Sequence, residues 1–129
     1  MRYPADELID KVSIIQLKIE RIPDKEGKAL LKQEYMDYCR AIKEYVSEGV
    51  FTKAQWNNWH KELYEVNSRI WDLEAAIRQG KEKELGLEEV GRRALSIRNN
   101  NGIRIRIKSS IVEKIGLGYK DIKINHASA

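Results

Sequence analysis

Apolar side chains recur along this chain at alternating steps of three and four residues, a rhythm that admits little besides packed helices. The longest run is Trp56, Trp59, Leu63, Val66, Ile70, Leu73 and Ile77. Two earlier runs, Leu8-Val12-Ile15-Ile19-Ile22 and Leu31-Tyr35-Tyr38-Ile42-Tyr45, keep the same steps. Such spacing puts every member on one face of an α-helix, whereas a half-buried strand alternates every second residue. The boundary signals agree. Pro4 suits a helix start, and Asp6 and Glu7 favour the positive end of the helix dipole. Pro23 stops the first helix, and a turn over Asp24 to Gly27 leads into the second. Gly49 is the expected residue just past the second helix, and Thr52 with Gln55 forms a capping box for the third.

Gly80 is expected to close the third helix, with a charged connector over Lys81 to Leu85. A fourth helix then starts near Leu87, with Val90, Ala94 and Ile97 on one face, and ends at Gly116 and Gly118. The tail from Tyr119 is expected to be irregular or briefly extended. The fold class is therefore all-α: an elongated antiparallel bundle of three to four helices. The 129 residues make one domain, with a three-helix acidic body (1–80), a basic C-terminal helix (87–116) and a tail (117–129). With 42% hydrophobic and 34% charged residues, long helices of this kind are expected to bury their remaining apolar surface in a homodimer or higher homo-oligomer.

Composition excludes several classes. Cys39 is the single cysteine, so no internal disulfide forms, which fits a cytoplasmic protein. The apolar stretches are interrupted by charge, so no membrane span or membrane partner is expected. The N-terminus has no apolar core of a secretory signal. His60 and His126 are the only histidines and are not spaced as zinc ligands, so no metal is expected. No serine sits on a glycine elbow, no carboxylates pair for acid–base work, and no glycine-rich phosphate loop is present. A non-enzymatic protein without a cofactor is the expectation.

Charge is distributed unevenly. Between Arg92 and Lys123 stand nine Lys/Arg and only Glu113 and Asp121, a balance of +7, against −3 for the rest of the chain. A basic segment, to which Arg93 belongs, on a mildly acidic body fits an anionic partner. Three constellations carry candidate contacts. Asn67, Trp71, Glu74 and Arg78 form a second stripe one position round from the apolar one; it can stack and bond a planar ring, or it is an interfacial Trp beside a Glu74–Arg78 pair. Lys11, Lys18 and Arg21 share a face of the first helix with Ile14, where Glu7–Lys11 can pair. Continuing the Val90-Ala94-Ile97 seam puts Asn101, Arg104 and Lys108 at core positions, where cations need partners. If instead the seam shifts to Ile103, Ile107 and Ile111, Arg104 and Lys108 lie at the surface.

Four stretches carry a resemblance. They are Glu7-Leu8-Ile9-Asp10-Lys11-Val12-Ser13-Ile14 with Lys18 to Ile22; Val66 to Glu74 with Ile77-Arg78; Arg93 to Ile97; and Asn100-Asn101 with Arg104, Ile107-Lys108 and Ile111. Together they resemble a family of small, uncharacterised helical domains of bacterial and phage genomes, some fused to glycosyltransferases. The residues after Asn99 are ambiguous by themselves: Ile103-Arg104-Ile105-Arg106-Ile107 alternates like a strand, yet Ile103, Ile107, Ile111 and Ile115 also step by four. The resemblance implies a long helix through Asn100 and Asn101, and helix is preferred on that ground. It implies no activity.

The expected function is capture or sequestration of a small anionic, nucleotide-like ligand where the first, third and fourth helices meet. Trp71 would stack on a base, Arg78, Arg104 and Lys108 would take phosphates, and Asn67, Asn100 and Asn101 would read polar edges. Phage proteins that sequester nucleotide immune signals offer an analogy of size and chemistry. The alternatives are a nucleic-acid binder using the basic segment 92–123, and a helical scaffold or docking module for an enzyme.

Overall fold

Pro4 occupies the N-cap of the first helix, with ψ 143°, and the helix begins one residue later. In the computed structural model the chain forms α1 (Ala5–Arg21), α2 (Lys25–Ser47) and α3 (Lys53–Ser128). The structure describes residues 3–128, with side chains for 3–78 and 86–116. Ile22 leaves the helix in an extended conformation, as the following proline requires. Asp24 caps α2 by accepting a hydrogen bond from the Glu26 amide. Gly49, at φ +76°, closes α2: its amide donates to the Val46 carbonyl and the Val50 amide to that of Tyr45, the paired bonds of a Schellman end. The capping box is complete, with the Thr52 amide donating to Gln55 Oε1 at 2.9 Å and the Gln55 amide to Thr52 Oγ1 at 3.0 Å.

The expected fourth helix is the second arm of α3. Were α3 straight, Asn67 and Arg104 would stand about 55 Å apart at 1.5 Å per residue. Both instead reach the Asp10 carboxylate, at 3.0 Å. The arm after the reversal runs back antiparallel along the first, with Arg69 donating to Asn100 across the pair at 2.9 Å. Gly80 does not close a helix. The backbone remains helical there, and the left-handed residue is Gly86, at φ +77°. The charged side chains of the expected connector, Lys81 to Leu85, lie outside the described ones. Gly116 and Gly118 do not end the second arm either; its backbone is helical to Ser128.

The fold is thus all-α and antiparallel, without strands among the described residues, and residues 99–108 are helical. The α1 and α2 helices run antiparallel, tied by the Tyr45 hydroxyl donating to the Tyr3 carbonyl at 2.6 Å. The core gathers Leu8, Ile9 and Val12 from α1, Ile42 and Tyr45 from α2, and Leu63, Val66, Ile70 and Ile111 from α3. Ile103, Ile107 and Ile115 pack against that core, so the second arm does present its step-of-four isoleucine face inward. No helix among the described residues is long and apolar enough to cross a membrane.

Both Gly86 and Gly91 have open space where a Cβ would stand, but Gly86 holds a left-handed φ of +77° that a Cβ strains, whereas Gly91 lies in regular helix. Gly86→Ala is expected to destabilise the protein by about 1–2 kcal/mol, and Gly91→Ala to stabilise it by about 0.5–1 kcal/mol. Urea unfolding of the two variants checks both signs.

Candidate functional site

The site is organised by a carboxylate that the sequence stripes do not single out. Asp10 lies on the face of α1 turned toward both arms of α3 and is only 2% exposed. An isolated charge at such a position is untenable, so it collects partners. Arg104 Nε donates to Asp10 Oδ1 at 3.0 Å and Arg104 Nη2 to Oδ2, a two-pronged pairing of guanidinium and carboxylate. Asn67 Nδ2 donates to Asp10 Oδ1 at 3.0 Å and to Ser13 Oγ at 2.8 Å. The Ser13 hydroxyl in turn donates to the Asp10 carbonyl at 2.7 Å. Lys108 Nζ stands 3.7 Å from Asp10 Oδ2 and donates to Glu7 Oε1 at 2.8 Å.

Burial alone would raise the Asp10 pKa. The bonds from Arg104 and Asn67, with the charges of Arg104 and Lys108, outweigh it and hold the carboxyl below its ordinary value. The bond to Asp10 also holds Arg104 above its own ordinary value against the opposing effect of burial.

Beside this network lies a cavity of about 390 Å³ at the junction of α1 with the two arms of α3. Asn67, Trp71 and Glu74 reach it from the first arm, Asn101 and Arg104 from the second, and Ile14 and Leu17 from α1. Four of the eleven candidate contacts, Asn67, Trp71, Asn101 and Arg104, therefore line this one cavity. Arg104 keeps further N–H donors, because a guanidinium has five and Asp10 takes two. Both bonds donated by the Asn67 amide nitrogen go to the network, leaving its carbonyl oxygen as the group it can offer.

The other seven lie elsewhere. Lys108, one turn beyond Arg104, is held by Glu7 and Asp10. Arg21 donates to Asp72 and to Ser68 Oγ, and its guanidinium lies 5.9 Å from the centre of the Trp71 ring, which it flanks from outside the cavity. Lys11 and Lys18 line a groove on the α2 side of α1, with Glu34 and Tyr38. Arg93 pairs with Glu89 at 3.1 Å. Asn100 accepts from Arg69 and donates to the Ser96 carbonyl, so it ties the arms together. Arg78 is exposed and lines no part of the junction cavity. Neither the expected Glu7–Lys11 pair nor the Glu74–Arg78 pair forms an ion pair among the described residues; Glu7 goes to Lys108 instead.

Asp10 and Ser13 are the residues that spacing overlooked. Their signal was present: Asp10, Ser13 and Leu17 step by three and four beside the apolar stripe, placing two polar groups on a buried edge. Among the described residues, no group of three or more His, Cys, Asp or Glu is placed to hold a metal ion.

Compared with protein-family models, curated proteins and solved structures, the chain matches none.

Removing the carboxylate leaves Arg104 and Asn67 without their acceptor. Asp10→Ala is expected to destabilise the fold by about 3 kcal/mol. The sign of the pH effect follows from the lowered Asp10 pKa: its contribution is present above the unfolded carboxylate value of about 3.9 and is lost as pH falls through the lower folded value. Denaturant titrations across this acid range are expected to show that slope in the wild type and a shallower one in Asp10→Asn.

Proposed function

We propose that this protein is a non-enzymatic binding protein that captures a small, planar, nucleotide-like molecule in the junction cavity. The observation that carries this reading is the convergence of Trp71, Asn67, Asn101 and Arg104 on one cavity of about 390 Å³, a volume within the usual range for small-molecule sites. Trp71 offers a ring to stack on, and the amides and Glu74 offer edges to bond. Arg104 supplies donors whose direction is set beforehand by Asp10, which lowers the cost of ordering them on binding.

The charge balance narrows the ligand. Arg104 and Lys108 face Asp10, Glu7 and Glu74, so no spare cation stands ready for a polyphosphate. The fitting molecule carries a heterocycle and at most one negative charge, as a cyclic mononucleotide does. The alternative of a phosphate-tracking stripe for nucleic acid is weakened by the same pairing. Arg92, Arg93, Arg104 and Lys108 of the basic segment are all engaged by carboxylates of this chain.

A homodimer belongs to this proposal because Leu95, Ile105 and Val112 remain more than half exposed on the second arm. An apolar row of that kind is suited to a partner helix.

Thermal unfolding with cyclic mononucleotides, nucleosides and inorganic polyphosphate tests the reading. A ligand at about a hundred times its dissociation constant should add roughly 2.7 kcal/mol of stability. The expected outcome is a shift with a cyclic mononucleotide that is lost in both Trp71→Ala and Asn101→Ala. No shift with any probe, or an undiminished shift in those variants, overturns it.

A further inference from the structure

A cleft of about 490 Å³, larger than the junction cavity, lies between α2 and the first arm of α3. Its residues come together because α2 and the first arm of α3 both pack on α1 and are joined by a short link. Arg40 and Lys43 stand three apart on α2, and Lys53 and Trp56 three apart in the first turn of α3. His60 follows one turn later, and Tyr35 faces it from α2.

The electrostatics differ from those of the junction. Three cations line the cleft and no carboxylate does. Lys43 and Lys53 form no ion pair among the described residues. Arg40 has only Asp37, at 3.7 Å with both side chains exposed, a pairing worth little in water. No acid stands in the first turn of α3, where acids are favoured. Three like charges around one hollow repel each other, and an anion placed among them relieves that repulsion.

The wall between the cations is aromatic. Trp56 and Tyr35 are half-buried and pack inward against the core while lining the cleft. His60 adds an unsatisfied group. Gln16 donates through its amide nitrogen to Glu20, so its oxygen faces His60 Nε2, 2.6 Å away, and Nε2 must carry the proton. His60 Nδ1 is then a bare acceptor. It is the one buried side-chain nitrogen or oxygen without a hydrogen-bond partner among the described residues, and such atoms are uncommon enough to need a reason.

We propose that this cleft is a second, separate binding site for an aromatic ring bearing a phosphate, a nucleoside monophosphate in chemical class, with the ring against Trp56 and the phosphate among Arg40, Lys43 and Lys53. It differs from the junction in charge: the junction suits at most one negative charge, and the cleft suits a dianion.

Isothermal titration with adenosine monophosphate, adenosine and inorganic phosphate tests the assignment. Lys43 and Lys53 are exposed, so the double variant Lys43→Gln/Lys53→Gln is expected to fold normally. It should weaken adenosine monophosphate binding about tenfold or more. The junction variant Asn101→Ala should leave that binding unchanged, which separates failure of this site from failure of the other. Adenosine and inorganic phosphate should each bind more weakly than the whole nucleotide. Absence of binding, equal binding in the lysine double variant, or phosphate alone matching the nucleotide would overturn the proposal.

Discussion

Everything in this fold answers to one buried negative charge. Asp10 cannot be taken from water without donors on both oxygens, and α1 does not contain them. Asn67 arrives from the first arm of α3 and Arg104 from the second, so the carboxylate is satisfied only when the hairpin of α3 is closed against α1. Hydrophobic burial of Leu8, Val12, Leu63, Val66 and Ile111 supplies the driving force but tolerates small shifts in register. Directional bonds to one carboxylate do not. Asp10 therefore acts as a register pin for three stretches of chain, and the junction cavity inherits its shape from that alignment.

Local features of the sequence translate well into structure where the physics is local. Pro23, the Gly49 end of α2 and the Thr52–Gln55 box all depend on residues a few positions apart, and all appear as their chemistry demands. The apolar stripes likewise mark the buried faces of α1 and of the first arm. The reversal of α3 was less legible. Gly80 and Gly86 both flank a run of charged residues, and nothing in spacing distinguishes which of them takes a left-handed conformation. The second arm was ambiguous for a related reason, because its isoleucines satisfy a strand period and a helix period together.

The site was half visible. Asn67 and Trp71 were legible as a second helical stripe beside the apolar one, and Asn101 and Arg104 as polar residues continuing an apolar seam. The partner that Asn67 and Arg104 share was not, because Asp10 lies 94 residues before Arg104 and pairing over such a distance leaves no trace in periodicity. Pairing also changes what the cations mean. Arg104 and Lys108 read as an anion trap when counted along the sequence, yet in the folded chain they neutralise Asp10 and Glu7. Arg40, Lys43 and Lys53 drew no notice in the sequence, since they sit on separate helices of an acidic body. Folding places them around a hollow without an acid.

The separation of Asp10 from Arg104 also bears on the order of events during synthesis. Asp10 leaves the ribosome among the first residues of α1, and its main partner is added 94 residues later. At typical elongation rates of about 5–20 residues per second, the carboxylate waits roughly 5–20 s for its guanidinium. During that interval α1 and α2 can pair through Tyr3 and Tyr45, but the polar edge of α1 must stay hydrated. The nascent chain therefore cannot lock α1 into its final seat until nearly all of the described side chains have been made. Arg104 is thus a late-made partner in a chain otherwise shaped by local signals.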